Sequence, residues 1–307
     1  MSPHPPPVAA AYLAPDGLLA PVTAALGDDV LDVRGRLVLA RSLCEEASWW
    51  AANTWLEPQW RRIESIGDGA RWLRSMQRNW AFVGEAFHRR SALLTEKLPP
   101  VRPRPRAFPF EVPDSPMGGW TLWERDLLLA SARCSSPFAN GELAFVEHRA
   151  GPPSRAYRKV WEALTVLGEH PRPGERCVDL GAAPGGWTWA LARLGAGVVA
   201  VDKAEMDPAV AALPNVSVRT ESAFGLEPAD LGPVDWLFSD VICYPKRLLD
   251  LVLRWRDQRM ASRFVCTIKF QGDDEHEAAR GFAAIPGARV VHLHHNKHEL
   301  TFLLDAR

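Results

Sequence analysis

From residue 153 onward, short apolar runs alternate with amphipathic stretches, and the alternation has the rhythm of βα units. The pattern predicts a helix over 154–167. It predicts strands at 177–180, 198–202, 216–219, 234–239, 264–269, 289–293 and 300–304. Helices near Trp187, Pro208, Lys246 and Glu275 separate the first six strands. Only the short connector 294–299 joins the last two, which predicts an antiparallel hairpin. The expected fold class is α/β, a seven-stranded sheet with an antiparallel last strand.

The first half reads differently. Residues 12–27 suggest a strand, a turn and a short helix, and 30–40 suggest a hairpin around Arg34-Gly35. The segment IGDGARWLRSMQRNWA predicts an amphipathic helix with Arg71, Arg74 and Arg78 on one face. Eight of the thirteen tryptophans precede residue 150, so most are expected to anchor a small core. One or two of them could be exposed platforms for unpaired bases. Residues 1–10, rich in proline and alanine, are expected to be disordered. The stretch 98–119 holds seven prolines and an alternating Arg-Pro run, which forbids a long helix and suits an extended connector. Residues 120–145 read as a short helix or as strands. The expected organisation is a smaller α+β domain over 11–97, a linker over 98–119 and a larger domain over 120–307.

Composition adds little to the fold but restricts function. The chain has 307 residues, 47% hydrophobic and 24% charged, enough for two domains with a proper core. No apolar run reaches the ~18 residues of a bilayer span, and the N-terminus lacks the basic and apolar regions of a secretory signal. Cys44, Cys134, Cys177, Cys243 and Cys266 are widely spaced and odd in number. They read as reduced thiols of a cytoplasmic protein rather than as a disulfide or zinc framework. Net charge is −1, yet 61–106 carries eleven Arg/Lys against four Asp/Glu, while the first sixty residues carry three against seven. A concentrated basic stretch of this kind suits either RNA phosphates or a solvated helix face.

The candidate chemistry centres on RCVDLGAAPGGWTWALARLGAGVVAVDK, residues 176–203. A strand leads into a turn of small residues, a helix follows, and a second strand ends on Asp202. Small residues let the backbone approach a ligand closely, and the helix start offers free N–H groups. An acid at the tip of the second strand can hold ribose hydroxyls. The spacing is not G-x-G-x-x-G, and no G-K-[ST] follows the turn. A nucleoside cofactor without a pyrophosphate remains, above all S-adenosyl-L-methionine, beside the plain alternative of a tight turn with no ligand.

DLGAAPGGW, the downstream VDK, VDWLFSD ending near Asp240, CTIKFQG with Lys269 and HNKHELTF with Glu299 together resemble the FtsJ/RrmJ-type 2′-O-ribose RNA methyltransferases. PPSRAYRKVWEAL supplies the matching upstream Lys159, a feature shared with the RlmM group, which modifies cytidine in bacterial 23S rRNA. The resemblance covers roughly 150–307. It implies a Rossmann-like methyltransferase sheet, S-adenosyl-L-methionine as cofactor, and RNA, large-subunit rRNA first, as substrate. For the N-terminal part it implies at most a reduced THUMP-like RNA-binding domain.

The resemblance further implies a catalytic tetrad of Lys159, Asp240, Lys269 and Glu299. A ribose hydroxyl is a very weak acid and must lose its proton during attack. Lys269 is the expected base, with Lys159 lowering its pKa, Asp240 orienting it beside the methyl donor, and Glu299 holding Lys159 or the hydroxyl. The cofactor is expected against Gly181, Ala183, Pro184, Gly185, Gly186 and Trp187, with Asp202 on its ribose and Asp240 near its methyl group. Ser222 stands where the family carries an acid facing the adenine, and VICYPKR replaces the usual Met-Ala-Pro after Asp240.

No metal is expected. His292, His294, His295 and His298 lack partnering cysteines or acids and read as solvent-facing loop residues near an RNA entrance. The overall expectation is a cytoplasmic, monomeric RNA methyltransferase that touches no membrane. A tRNA enzyme, a small-molecule methyltransferase and a non-catalytic RNA-binding protein on the same scaffold are the alternatives.

Overall fold

A computed structural model describes residues 5–84, 86–272 and 276–307, with the side chain of His276 left aside. The chain divides into two compact units. One runs to Arg106 and resumes at Glu111–Phe145; the other comprises Ala107–Phe110 and Val146–Arg307.

The first unit contains β1 (Ala10–Leu13), α1 (Leu19–Leu26), β2 (Val30–Arg34), β3 (Leu37–Ala40), α2 (Glu45–Trp50) and β4 (Asn53–Leu56). It continues with β5 (Gln59–Arg62), α3 (Ile66–Met76), β6 (Trp80–Phe82) and α4 (His88–Thr95). Strands β7 (Gly118–Glu124), β8 (Leu127–Ser131) and β9 (Arg133–Cys134) complete it. Two sheets form, ordered β2-β3-β1-β4-β9 and β5-β8-β7-β6. The alternation along β7 and β8 explains the layering. Trp120, Leu122, Leu128 and Ala130 pack with Ala70 and Leu73 of α3 and Leu94 of α4. Trp123, Leu127 and Leu129 pack instead with Ala11, Leu13, Leu37, Leu39 and Trp55 of the other sheet. Ser65 caps α3, its hydroxyl accepting from the Asp68 N–H at 3.1 Å.

Four expectations change here. Residues 120–145 do not open the larger domain. β7 and β8 carry apolar side chains on both faces, pair with β6 and β5, and pack into both cores of the first unit, so they complete it. The proline-rich stretch is not a free linker, since all of it but Ala107–Phe110 belongs to the first unit. The N-terminus is not loose where it is described. Val8 is buried, Ala9 N–H donates to the Ala40 carbonyl at 3.0 Å, and the Trp60 indole donates to the Pro6 carbonyl at 2.9 Å. Residues 1–4 lie outside the described residues. No tryptophan of this unit is an exposed platform either: Trp49, Trp50, Trp55, Trp80, Trp120 and Trp123 are buried, and Trp60 and Trp72 are half-buried.

The second unit follows the predicted βα rhythm closely. It runs α5 (Tyr157–Leu167), β10 (Arg176–Leu180), α6 (Gly186–Arg193), β11 (Gly197–Asp202), α7 (Pro208–Ala211) and β12 (Val216–Thr220). Then come α8 (Pro228–Leu231), β13 (Val234–Ser239), α9 (Pro245–Asp257) and β14 (Ala261–Lys269). The helix α10 (His276–Ala283) and strands β15 (Arg289–Val291) and β16 (Glu299–Asp305) end the unit; the Glu275 of the predicted helix lies outside the described residues. The short α8, started by Pro228 at its first turn, has no counterpart in the sequence reading.

The sheet order is β12-β11-β10-β13-β14-β16-β15, and only β16 runs against the others. The chain steps outward from β10 to β12 and then returns to the far side of β10 at β13. That reversal opens a crevice beyond the carboxyl ends of β10 and β13, where open α/β sheets bind ligands.

Packing in the first unit yields a test. A Cβ at Gly119 would lie 2.1 Å from the indole of Trp55, which is fully buried. Gly119→Ala should therefore destabilise the protein by ~1–3 kcal/mol through overpacking, read as a lower urea midpoint; an unchanged midpoint would contradict the close approach of Trp55 to this strand.

Candidate functional site

The glycine-rich turn follows β10 at the crevice. Gly181 has φ +81°, and a Cβ there would sit 2.7 Å from the Val241 Cα, so only glycine lets the segment after β13 pass this close. Gly185 precedes α6, and a Cβ at Gly186 would meet the Ser154 hydroxyl at 2.4 Å. Ala183 and Gly181 are half-buried, Pro184 is exposed, and Ala183-Pro184 is a cis peptide. Trp187 departs from expectation. Its side chain is buried, donates to the Ala156 carbonyl at 3.0 Å and meets Phe238 edge-on, so only its backbone is left to face a ligand.

Asp202 ends β11 and closes back on the turn. One carboxylate oxygen accepts from the Ala183 N–H at 3.0 Å, and the other accepts from the Ala204 N–H at 2.9 Å. The carboxylate thus sets the shape of the turn while its remaining lone pairs stay available. Ser222 is half-buried beyond β12. Its hydroxyl accepts from the Phe224 N–H at 3.3 Å and its carbonyl accepts from Gly225 and Leu226, so both oxygens already shape the local turn.

The four residues expected to form a tetrad come together. Asp240 follows β13 directly, and Lys159 lies on α5. Lys269 ends β14 opposite Glu299, the first residue of β16. A single oxygen of Asp240 stands 3.2 Å from the Lys159 ammonium and 3.1 Å from that of Lys269. Glu299 pairs with Lys159 at 2.6 Å. Lys269 also donates to the Asp240 main-chain carbonyl. Burial pulls the Lys159 pKa down, but the carboxylates of Asp240 and Glu299 outweigh it and the net direction is up. Lys159 is therefore a fixed cation.

Two buried acids escaped the sequence reading. Asp179, on β10, is fully enclosed. One oxygen accepts from the Thr188 hydroxyl at 2.6 Å, and the other has no partner among the described residues. Burial raises its pKa to about 7; the Thr188 hydroxyl opposes this and the charges of Asp240 and Asp202 add to it. Glu162 lies one helical turn beyond Lys159 on α5. It accepts from the N–H groups of His294 and His295 at 2.7 and 2.9 Å, and its carboxylate meets the His295 ring at 2.6 Å. An acid inside the apolar run CVDL, and another between Trp161 and Ala163 on a buried helix face, were the available signals.

Glu162 also corrects the reading of the histidines. His294 and His298 are exposed, but His295 is held on Glu162. His292 is half-buried against the Lys297 carbonyl, and burial lowers its pKa. The loop that delivers Glu299 is thereby tied to the helix that delivers Lys159.

The buried Asp179 makes stability depend on pH. The folded protein keeps its proton to about pH 7, whereas the ordinary aspartate value is 3.8. Folding then becomes less favourable as pH rises between these values, and the loss levels off above them. Asp179→Asn should gain stability over the native protein from about pH 4 to about pH 7 and hold that gain above. Urea unfolding across this range measures it, and a gap independent of pH would contradict the assignment.

Comparison with known proteins agrees with this geometry. Residues 152–268 match the FtsJ-like methyltransferase family. A ribosomal RNA large subunit methyltransferase M from Halorhodospira halophila is 37% identical over 157 residues, covering 48% of this chain and 46% of the relative. The protein of the same name from Methylococcus capsulatus is 35% identical over 168 residues, 50% of this chain and 47% of the relative. That from Marinobacter nauticus is 30% identical over 194 residues, 58% and 53%. The chain spans about half the length of the curated relatives it matches. In its glycine turn, its sheet order and this sequence match, the segment 152–268 is similar to the FtsJ-like methyltransferases.

Proposed function

We propose that the second unit transfers a methyl group from S-adenosyl-L-methionine to the 2′-hydroxyl of a ribose in RNA, with large-subunit ribosomal RNA as the substrate. The observation that carries this reading is the joining of two lysines through one Asp240 oxygen, beside a glycine turn at the sheet's switch point. A small-molecule methyl acceptor of higher acidity would not require such a cluster.

The residues at the turn fit a cationic nucleoside cofactor. The unpartnered oxygen of Asp179 is buried on β10, the strand that leads into the turn, in the field of Asp240 and Asp202. Acids so placed favour positive charge. S-adenosyl-L-methionine, bound there, supplies an electrophilic methyl group on a sulfonium. Gly181, Ala183, Pro184, Gly185, Gly186 and the backbone of Trp187 would hold its methionine end, and Asp202 its ribose. The Ser222 region would lie toward the adenine.

The two lysines divide the remaining work. Lys159 lies between two carboxylates and stays protonated, so it cannot accept the hydroxyl proton. Lys269 touches one carboxylate and one carbonyl, and it is the lysine assigned to act in its neutral amine form, taking the hydroxyl proton on Nζ as the ribose oxygen takes the methyl group. Asp240 holds both lysine nitrogens at set positions, and Glu299 fixes Lys159. An in-line transfer depends on this alignment more than on new bonds to the protein.

The first unit is proposed to bind RNA phosphates. Arg71 and Arg74 lie on α3, whereas Arg78 lies beyond the end of the helix and not on the shared face expected; all three are exposed, Arg71 pairs loosely with Asp68 at 3.8 Å, and Arg74 donates to the Lys97 carbonyl. The 2′-hydroxyl that distinguishes RNA from DNA is the reacting group, so the chemistry itself selects RNA.

Lys269→Ala should lower methyl transfer by ~10²–10⁴-fold or more while calorimetry finds an unchanged affinity for S-adenosyl-L-methionine. Retained turnover would overturn the base assignment. Mapping 2′-O-methyl positions in total RNA from a deletion strain should reveal the target as a missing mark in large-subunit rRNA. Charge reversal at Arg71, Arg74 and Arg78 should weaken RNA binding and flatten its salt dependence, by ~0.7–0.9 in log-log slope for each phosphate that is no longer neutralised. An unchanged slope would make this stretch a solvated face and nothing more.

A further inference from the structure

Among the described residues, the two most exposed large hydrophobic side chains are Ile242, at 79%, and Tyr244, at 62%. Both lie within four residues of Asp240, on the segment joining β13 to α9. The backbone between them is anchored. Val241 packs on Gly181, Cys243 and Pro245 are buried, and the Tyr244 carbonyl accepts from Arg247 and Leu248 at 3.0 and 3.3 Å. The segment thus alternates outward and inward, with Ile242 and Tyr244 held in solvent by neighbours that are plugged into the fold.

Two cations extend the same edge. Lys246 and Arg247 are exposed on the first turn of α9, which carries no acid. Arg247 lies 3.8 Å over the Phe224 ring, which fixes its guanidinium beside the segment. An aromatic ring and a branched aliphatic side chain kept out of the core, flanked by positive charge, match an unpaired nucleotide: a base with a π-face and a phosphate. The tryptophans of the first unit, all buried or half-buried, offer no such surface.

We propose that Tyr244, supported by Ile242, is the platform on which a base of the RNA strand stacks at the reaction site, with Lys246 and Arg247 facing its phosphates. This rests on the RNA-methylating reading above and deepens it. The base and the ribose of one nucleotide are covalently joined, so a base stacked at residue 244 holds its sugar near the Asp240 cluster.

The test compares the native protein with Tyr244→Ala, Tyr244→Phe and Lys269→Ala. It uses unmodified 23S rRNA transcript as the probe, with filter binding in saturating S-adenosyl-L-homocysteine and separate methylation assays. Tyr244→Ala should weaken transcript binding roughly tenfold and raise KM without changing calorimetric affinity for S-adenosyl-L-methionine. Tyr244→Phe, which keeps the ring, should restore binding. Lys269→Ala should bind the transcript like the native protein yet fail to methylate it. Native-like binding by Tyr244→Ala, or a Tyr244→Phe variant as weak as Tyr244→Ala, overturns the stacking platform. A native protein that leaves the transcript unmethylated instead overturns the underlying reaction, and full turnover by Lys269→Ala overturns only the base assignment, so the failures are separable. Tyr244 is exposed, so neither substitution at it removes core packing.

Discussion

One carboxylate oxygen of Asp240 meets two ammonium groups, and the arrangement of the second unit follows from having to place three elements around it. Lys159 must arrive on α5, Lys269 at the end of β14, and Asp240 itself at the end of β13. Two half-buried lysines would repel each other and lose hydration, and a shared anion offsets both costs. Removing that anion leaves two cations together in a poorly solvated place. The same reasoning explains Glu299, which balances the second positive charge and makes the four side chains neutral as a set.

The antiparallel β16 is what makes that balance possible. A parallel strand between β14 and β15 would begin at the opposite edge of the sheet, far from the carboxyl ends where the other three residues gather. Running against its neighbours, β16 starts at the crevice and sets Glu299 directly across from Lys269. Glu162 then secures the loop leading into β16 from the same helix that carries Lys159. Helix α5 therefore holds both sides of the Lys159–Glu299 pair in register, one through the ion pair and the other through backbone N–H groups.

Much of this was legible in the sequence because it is local. The apolar run of β10, the small-residue turn and Asp202 at the end of β11 lie within one βα unit, where period and turn chemistry decide the structure. The tetrad was legible from four separate motifs that resemblance placed together. What escaped depends on distant pairing. Residues 118–131 are apolar on both faces and could serve either unit; their pairing with β5 and β6 settles the matter, and no local pattern encodes it. Asp179 and Glu162 escaped for a related reason. Each sits in an otherwise apolar context, and only the folded chain shows which donors meet the carboxylates. The turn it follows marks Trp187 as a ligand contact, and only the folded chain shows Ala156 accepting its indole N–H.

In the proposed reaction, the charges around the crevice would bear on turnover as well as on binding. Asp179, Asp202 and Asp240 lie close enough for the latter two to raise the pKa of the first. The tetrad is neutral in itself, so Asp202 and any ionised Asp179 leave the neighbourhood of the turn negative. A negative, partly desolvated site holds a cation more tightly than a neutral molecule of the same shape. In the proposed reaction the sulfonium charge disappears when the methyl group leaves, so the attraction that draws the donor in is absent for the product. Asp179 titrates near neutrality. Its ionisation adds to the pull on the cation without acting on the ribose, so it would govern donor affinity separately from the Lys269 chemistry.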